Sequence, residues 1–240
     1  MQVVSVGGAV FGAWCHVLVD GEGRCVVLDA GAGVAGEVAE LVAARALRPT
    51  AVLATHGHAD HTWDAARLSE ELDVPVVLHA ADEYRLRDPF GTLGALGSAP
   101  HDPRGPLAQA LVTVGRDPAS YTPPSRVEPF GAVGDERTPD VELDLGGLRL
   151  VARHAPGHTE GSTLYLSELD DGTPLAFTGD VLFAGTIGRT DLPGGDGARM
   201  DRTLREVVSA LDPRTVVVPG HGPTTTIERE LLANPYLTAR

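Results

Sequence analysis

The stretch Thr55-His56-Gly57-His58-Ala59-Asp60-His61 constrains this chain more than any other. Three imidazoles and a carboxylate stand within six residues, directly after the apolar run Ala51-Val52-Leu53-Ala54. Polar groups at this density are costly to bury unless something binds them. A buried strand that ends in a loop can aim such side chains at one point. Imidazole and carboxylate together suit zinc, iron or manganese. Gly57 is expected to relieve a sharp backbone turn between the ligating residues.

Three remote segments share one design: a strand end, a turn and a single ligating group. They are Ala155-Pro156-Gly157-His158, Phe177-Thr178-Gly179-Asp180 and Val218-Pro219-Gly220-His221. Each is weak alone, because a lone loop histidine is usually just solvated. Together they describe ligands converging from several strand ends, as a metal site in a layered α/β fold requires.

The rest of the pattern supports such a fold. Apolar runs at 2–6, 13–19 and 24–29 predict a β-meander. Helices are predicted at 37–44, 62–72, 199–211 and 227–233, with a short one at 107–114. Strands are predicted at 51–54, 76–78, 141–145, 148–154, 162–167, 174–178 and 215–218. Strands followed by helix–strand units, twice over, fit two packed sheets with helices outside. Segment 87–140 is rich in Pro and Gly and interrupts the pattern, which suggests a lid or an insert. Regular strands resume after it, so residues 1–240 are read as one domain.

Charge and cysteine usage exclude several classes. The net charge of -14 makes nucleic acid and anionic membrane surfaces poor partners. Cys15 and Cys25 flank the turn Asp20–Gly23, with Cys15 expected opposite Leu28 and Cys25 opposite Leu18. They are read as buried, unpaired thiols. No run reaches the length of a membrane span and no signal segment is evident, so cytoplasm is the expected location.

With His56, His58, Asp60 and His61 as an HxHxDH motif, and His158, Asp180 and His221 following in order, the chain resembles the metallo-β-lactamase superfamily. The resemblance implies an αββα sandwich with the metal site at one edge, between the sheets. It assigns His56, His58 and His158 to one metal, Asp60, His61 and His221 to a second, and Asp180 to a bridge. It implies two divalent ions, zinc first, with iron or manganese as the other candidates. Such ions lower the pKa of bound water and polarise a carbonyl, with Asp60 relaying a proton.

The run Asp180–Asp191, with its Gly-Arg-Thr-Asp ending, and the following Leu192-Pro193-Gly194-Gly195-Asp196 resemble short bacterial members of the glyoxalase II-like branch. That implies hydrolysis of a small-molecule acyl or hydroxyacyl thioester. Only 19 residues follow His221, short of the helical region that supplies glutathione contacts in larger glyoxalase II enzymes. A related branch uses one iron for persulfide dioxygenation, which would map to His56, His158 and Asp180. A lactonase or another hydrolase of the same fold is a further alternative.

Other residues receive plainer readings. His16, His79 and His154 are expected to be hydrogen-bonded structural histidines, and His101 an exposed one. Arg189 and Asp191 are read as an ion pair that fixes their loop. Asp29, at a strand end, is a candidate to orient a ligating histidine. Tyr84, Arg85, Arg87, Arg104, Arg116, Tyr121 and Arg126, in or beside the insert, are read mostly as surface residues.

Overall fold

A computed structural model describes residues 1–90, 105–134 and 139–238; His101 and Arg104 lie outside this set. Two six-stranded sheets dominate it. The first runs in chain order: β1 (Gln2–Gly7), β2 (Trp14–Val19), β3 (Arg24–Leu28), β4 (Arg48–Leu53), β5 (Val76–His79) and β6 (Val127–Phe130). β1 to β3 form an antiparallel meander, and β3 to β6 pair in parallel. Helices α1 (Ala35–Ala44), α2 (Ala59–Thr62), α3 (Ala65–Leu72) and α4 (Pro106–Thr113) lie in the parallel connections.

The second sheet has the order β14-β13-β10-β9-β8-β7. β7 (Val141–Leu145), β8 (Leu148–His154), β9 (Thr163–Glu168) and β10 (Pro174–Gly179) form an antiparallel meander. A hairpin of β11 (Leu182–Phe183) and β12 (Thr186–Ile187), then α5 (Gly197–Thr203), lead to β13 (Val216–Pro219), parallel to β10. β14 (Thr225–Thr226), α6 (Ile227–Ala233) and α7 (Pro235–Thr238) complete the order.

The strands are apolar on both faces because both faces are covered. Leu18, Val26, Leu28 and Leu53 meet Leu150, Tyr165, Phe177 and Val218 between the sheets. The alternate residues Val17, Cys25, Val27 and Val52 pack outward with Val38 and Leu68 of α1 and α3. On the second sheet, Leu164, Ala176 and Val217 pack with Met200, Leu204 and Ile227. The result is the expected αββα sandwich.

Several elements differ from expectation. The predicted helix 62–72 is split into α2 and α3 around Asp64. The Asp64 carboxylate accepts from Gly33 N and Ala35 N, at 2.9 and 3.1 Å, and so caps α1 instead. The predicted helix 199–211 starts earlier, where the Asp196 side chain accepts from Ala198 N and Arg199 N, and it continues as a π turn over Leu204–Val208. Segment 87–140 contains β6, which pairs with β5. Pro129 disguises it as loop, yet proline is tolerated on an edge strand. In the β2–β3 hairpin, His16 faces Leu28 and Val19 faces Cys25, one residue away from the expected register. The four-residue turn is closed by Asp20 N to Arg24 O at 3.0 Å, which sets that pairing. Both cysteines are buried and free. Among the described residues, no helix is long and apolar enough to cross a membrane.

Candidate metal centre

Four chain segments bring ligating groups to one edge of the sandwich. The β4–α2 loop carries His56 and His58, and α2 itself carries Asp60 and His61. The β8–β9 loop carries His158, Asp180 follows β10, and His221 follows β13. All seven sequence candidates come together there.

They form two adjoining groups. In the first, His58 Nδ1 lies 3.1 Å from His56 Nε2 and 2.9 Å from His158 Nε2. Local partners set which nitrogens face inward. His158 Nδ1 donates to the Arg189 carbonyl at 2.7 Å. His56 Nδ1 lies 3.1 Å from Thr55 Oγ1, whose own proton goes to Asp29 Oδ2 at 2.8 Å. Nε2 of His56 and of His158 is thereby left as a lone pair pointing at the shared centre. Burial, then the neighbouring imidazoles, hold His56 well below the ordinary histidine pKa. Burial, then His158 and Arg85, do the same for His58.

The second group is Asp60, His61 and His221. His61 Nε2 lies 3.2 Å from His221 Nε2 and 3.6 Å from Asp60 Oδ2, and His221 Nε2 lies 3.4 Å from Asp60 Oδ2. Asp29 behaves as expected of an orienting carboxylate. Its Oδ2 accepts from His61 Nδ1 at 3.0 Å, and its Oδ1 accepts from Thr55 N at 2.7 Å. Asp29 sits in the left-handed region at φ 58°, a conformation aspartate tolerates better than most residues. Burial opposes charge on His61, but Asp60, Asp180 and Asp29 outweigh it and raise its pKa well above the ordinary value. Burial likewise opposes ionisation of Asp60 and Asp180, yet His61 and His221 around Asp60, and His61 and His158 around Asp180, hold both carboxyls low.

Asp180 joins the groups. Its Oδ1 is 3.3 Å from His61 Nε2 and 3.5 Å from His221 Nε2, while its Oδ2 is 3.6 Å from His158 Nε2. Each carboxylate oxygen thus faces one group.

The donor set fits divalent metal. Among the described residues, His56, His58 and His158, then Asp60, His61 and His221, and also His56, His61 and Asp180 across the two, each offer ligand atoms within 4.8 Å of one another. Asp180 Oδ1 is buried and makes no well-aligned hydrogen bond, facing only the His61 and His221 imidazoles, and a cation there would satisfy it. Gly220 leaves room for the cluster, since a Cβ there would stand 2.6 Å from His61 Cε1 and 2.7 Å from Asp180 Oδ1. Gly57 serves a different purpose from the expected turn. It has no left-handed φ, and a Cβ there would stand 2.7 Å from Arg85 Cβ and 2.9 Å from Asp82 O. Close approach of a neighbouring segment, and not a sharp turn, is what requires glycine.

Among the described residues the plainer readings hold with two exceptions. His16 bonds Ser5 Oγ and the Pro219 carbonyl, at 2.9 and 3.2 Å. His79 stacks on His154 at 4.1 Å and accepts from Ala81 N, while His154 Nε2 donates to the Glu160 carbonyl. Arg189 and Asp191 form a bidentate ion pair with both bonds at 2.6 Å. The exceptions are Tyr121, half-buried against Trp63 with its hydroxyl donating to the Leu86 carbonyl, and Arg85, which is fully buried, as is Asp82 beside it. Neither periodicity nor motif marked that pair. A cavity of about 800 Å³ lies elsewhere, along β7 to β9, lined by Glu142, Asp144, Arg149, Leu166 and Glu168, and holds none of the seven residues.

Comparison with known proteins agrees with this geometry. The metallo-beta-lactamase superfamily model matches residues 9–221, and the chain belongs to that superfamily, whose fold is of hydrolase type. It is 38% identical over 226 residues to an uncharacterised protein of Mycobacterium tuberculosis, covering 93% of this chain and 92% of that one. It is 28% identical to the hydroxyacylglutathione hydrolase GloC of Haemophilus influenzae, with full coverage of both (100% and 100%). Among solved structures, BLEG-1 B3 metallo-beta-lactamase aligns with TM-score 0.76 at 27% identity, covering 99% of this chain and 100% of that chain. TTHA1623 in a di-iron-bound form aligns with TM-score 0.71 at 30% identity and the same coverage, 99% and 100%.

Proposed function

We propose that this protein is a two-metal hydrolase of small-molecule acyl thioesters. The observation that carries the two-metal reading is Asp180, with one carboxylate oxygen facing each group of ligands. The thioester reading is supported by full-length similarity to a hydroxyacylglutathione hydrolase. His56, His58 and His158 would hold one ion, Asp60, His61 and His221 the other, and Asp180 would contact both. Zinc is the proposed metal, with iron as the competing identity, and cytoplasm the proposed location.

Bound divalent ions would supply Lewis-acid polarisation and a water of lowered pKa. The chain's own residues do the rest. Asp29 and the Arg189 carbonyl fix the imidazole orientations. Asp60, ionised at neutral pH and facing His61 and His221, takes and relays a proton from the attacking water. The leaving thiolate is stable at neutral pH, so no strong general acid is required.

Elemental analysis of chelator-free protein, with thiol release and oxygen uptake assayed on the same sample, tests this. Two zinc per chain with thiol release from an acyl thioester is the expected result. One iron per chain with persulfide-dependent oxygen consumption would replace it with a dioxygenase.

Metal uptake is also expected to release protons. In the metal-free protein the raised pKa of His61 stabilises the fold fully below the ordinary histidine pKa. That contribution fades as pH rises through the elevated value. A cation at His61 Nε2 must displace this proton, so affinity rises with pH across that window. Calorimetric titration of the metal-free protein at pH 7, in buffers of different ionisation enthalpy, should show at least about one proton released. Buffer-independent heats would mean that His61 is already neutral.

A further inference from the structure

Asp82 and Arg85 form an ion pair with both side chains fully buried. They stand on the 3-10 turn Ala80–Arg87 that follows β5. Asp82 Oδ2 accepts from Gly57 N at 2.8 Å and from Thr159 Oγ1 at 2.7 Å. Its Oδ1 accepts from Gly161 N at 2.8 Å and Arg85 Nε at 3.2 Å. Gly57 lies between His56 and His58, while Thr159 and Gly161 follow His158. One carboxylate therefore ties together both loops of the three-histidine group. Arg85 extends the tie, since its Nη2 donates to the Pro193 carbonyl at 3.0 Å and also meets Glu160.

The two groups adjoin, with His56 and His61 rings 4.3 Å apart and Asp29 reaching His56 only through Thr55 Oγ1, but their direct carboxylate supports differ. Asp29 bonds His61 directly, and none of the bonds from Asp82 reaches Asp60, His61, Asp180 or His221. Buried ion pairs contribute little net stability compared with an apolar filling, because desolvation offsets the attraction. What this one contributes is geometry: four donors converge on one carboxylate and leave the two loops one arrangement.

We propose that Asp82, held by Arg85, is a positioning residue of the His56/His58/His158 half of the centre and, by fixing its two loops, sets metal affinity there more than in the other half. This rests on the two-metal reading.

The test uses cobalt as probe in the full-length chain, with affinity read by chelator competition and visible absorption. The parent is His221→Ala, which removes a ligand from the other half and should bind one cobalt. Adding Asp82→Asn replaces one acceptor oxygen with an NH₂ group facing donors. Cobalt affinity of the remaining half should then weaken about 10- to 100-fold, the usual effect of losing an outer hydrogen-bond partner. In the otherwise unaltered chain, Asp82→Asn should give one tight and one weakened site, with an altered spectrum for the weakened one.

Unchanged cobalt affinity in folded Asp82→Asn/His221→Ala overturns the proposal. A His221→Ala parent that binds two cobalt ions, or none, overturns the two-metal reading instead. The unfolding midpoint of each metal-free variant reports folding. Should Asp82→Asn fail to fold, Thr159→Val removes a single donor from the same carboxylate. It should weaken the three-histidine half more than the other; equal affinity to the parent, or equal weakening of both halves, overturns the proposal.

Discussion

Replacing His58 or Asp180 by alanine is expected to lower bound metal and abolish hydrolysis, with different stoichiometries. His58 Nδ1 is the atom nearest both other nitrogens of its group, at 3.1 and 2.9 Å. Without it two histidines remain there, while Asp60, His61 and His221 are untouched, so His58→Ala should keep about one metal. Asp180 faces both groups, so Asp180→Ala should weaken both. Loss of several kcal/mol of charge stabilisation corresponds to a fall in kcat/KM of roughly 10³-fold or more. Metal analysis and thioester kinetics on the same preparations check this. Full activity in either variant would remove it from the ligand set.

Asp29→Ala is expected to destabilise even the metal-free protein. The Asp29 carboxylate is buried and accepts from Thr55 N, Thr55 Oγ1 and His61 Nδ1, at 2.7, 2.8 and 3.0 Å. Alanine leaves these donors without an acceptor in a site closed to water. It must also adopt the left-handed conformation at φ 58°. Removing one partner of a buried charged pair costs about 3–5 kcal/mol. For a chain of this size that lowers the melting temperature by roughly 10 °C. Asparagine in place of the aspartate tolerates this backbone and keeps one acceptor, so Asp29→Asn should lose less than half as much. Thermal unfolding after chelation measures both, and a wild-type melting temperature for Asp29→Ala would refute this account of the loop.

The two variants separate what a reader of residues can find from what only packing reveals. His58 and Asp180 were legible because imidazole and carboxylate at strand ends are conspicuous. Asp29 was legible in part: its place after a buried strand marked it as an orienting group, but nothing local named His61 as its partner. Asp82 and Arg85 were not legible. A charged pair in Asp82-Glu83-Tyr84-Arg85 reads as solvated surface, since most such residues are exposed. Its burial depends on Thr159 and Gly161, 77 and 79 residues from Asp82 along the chain. β6 was hidden for a similar reason, because Pro129 breaks a strand signal that only the edge of an assembled sheet permits.

By itself, the sequence determined the layered class of the fold, the strands buried on both faces and the seven candidate ligands. These follow from local patterns of side-chain type, which hydrophobic burial and metal chemistry read directly. The tertiary structure alone decided the one-residue register of the β2–β3 hairpin, the reason for Gly57, and the convergence of seven side chains on one edge with Asp180 between the histidines. It also decided which groups the buried carboxylates Asp29 and Asp82 hold. Those are distances between groups remote in the chain, and no local pattern encodes them.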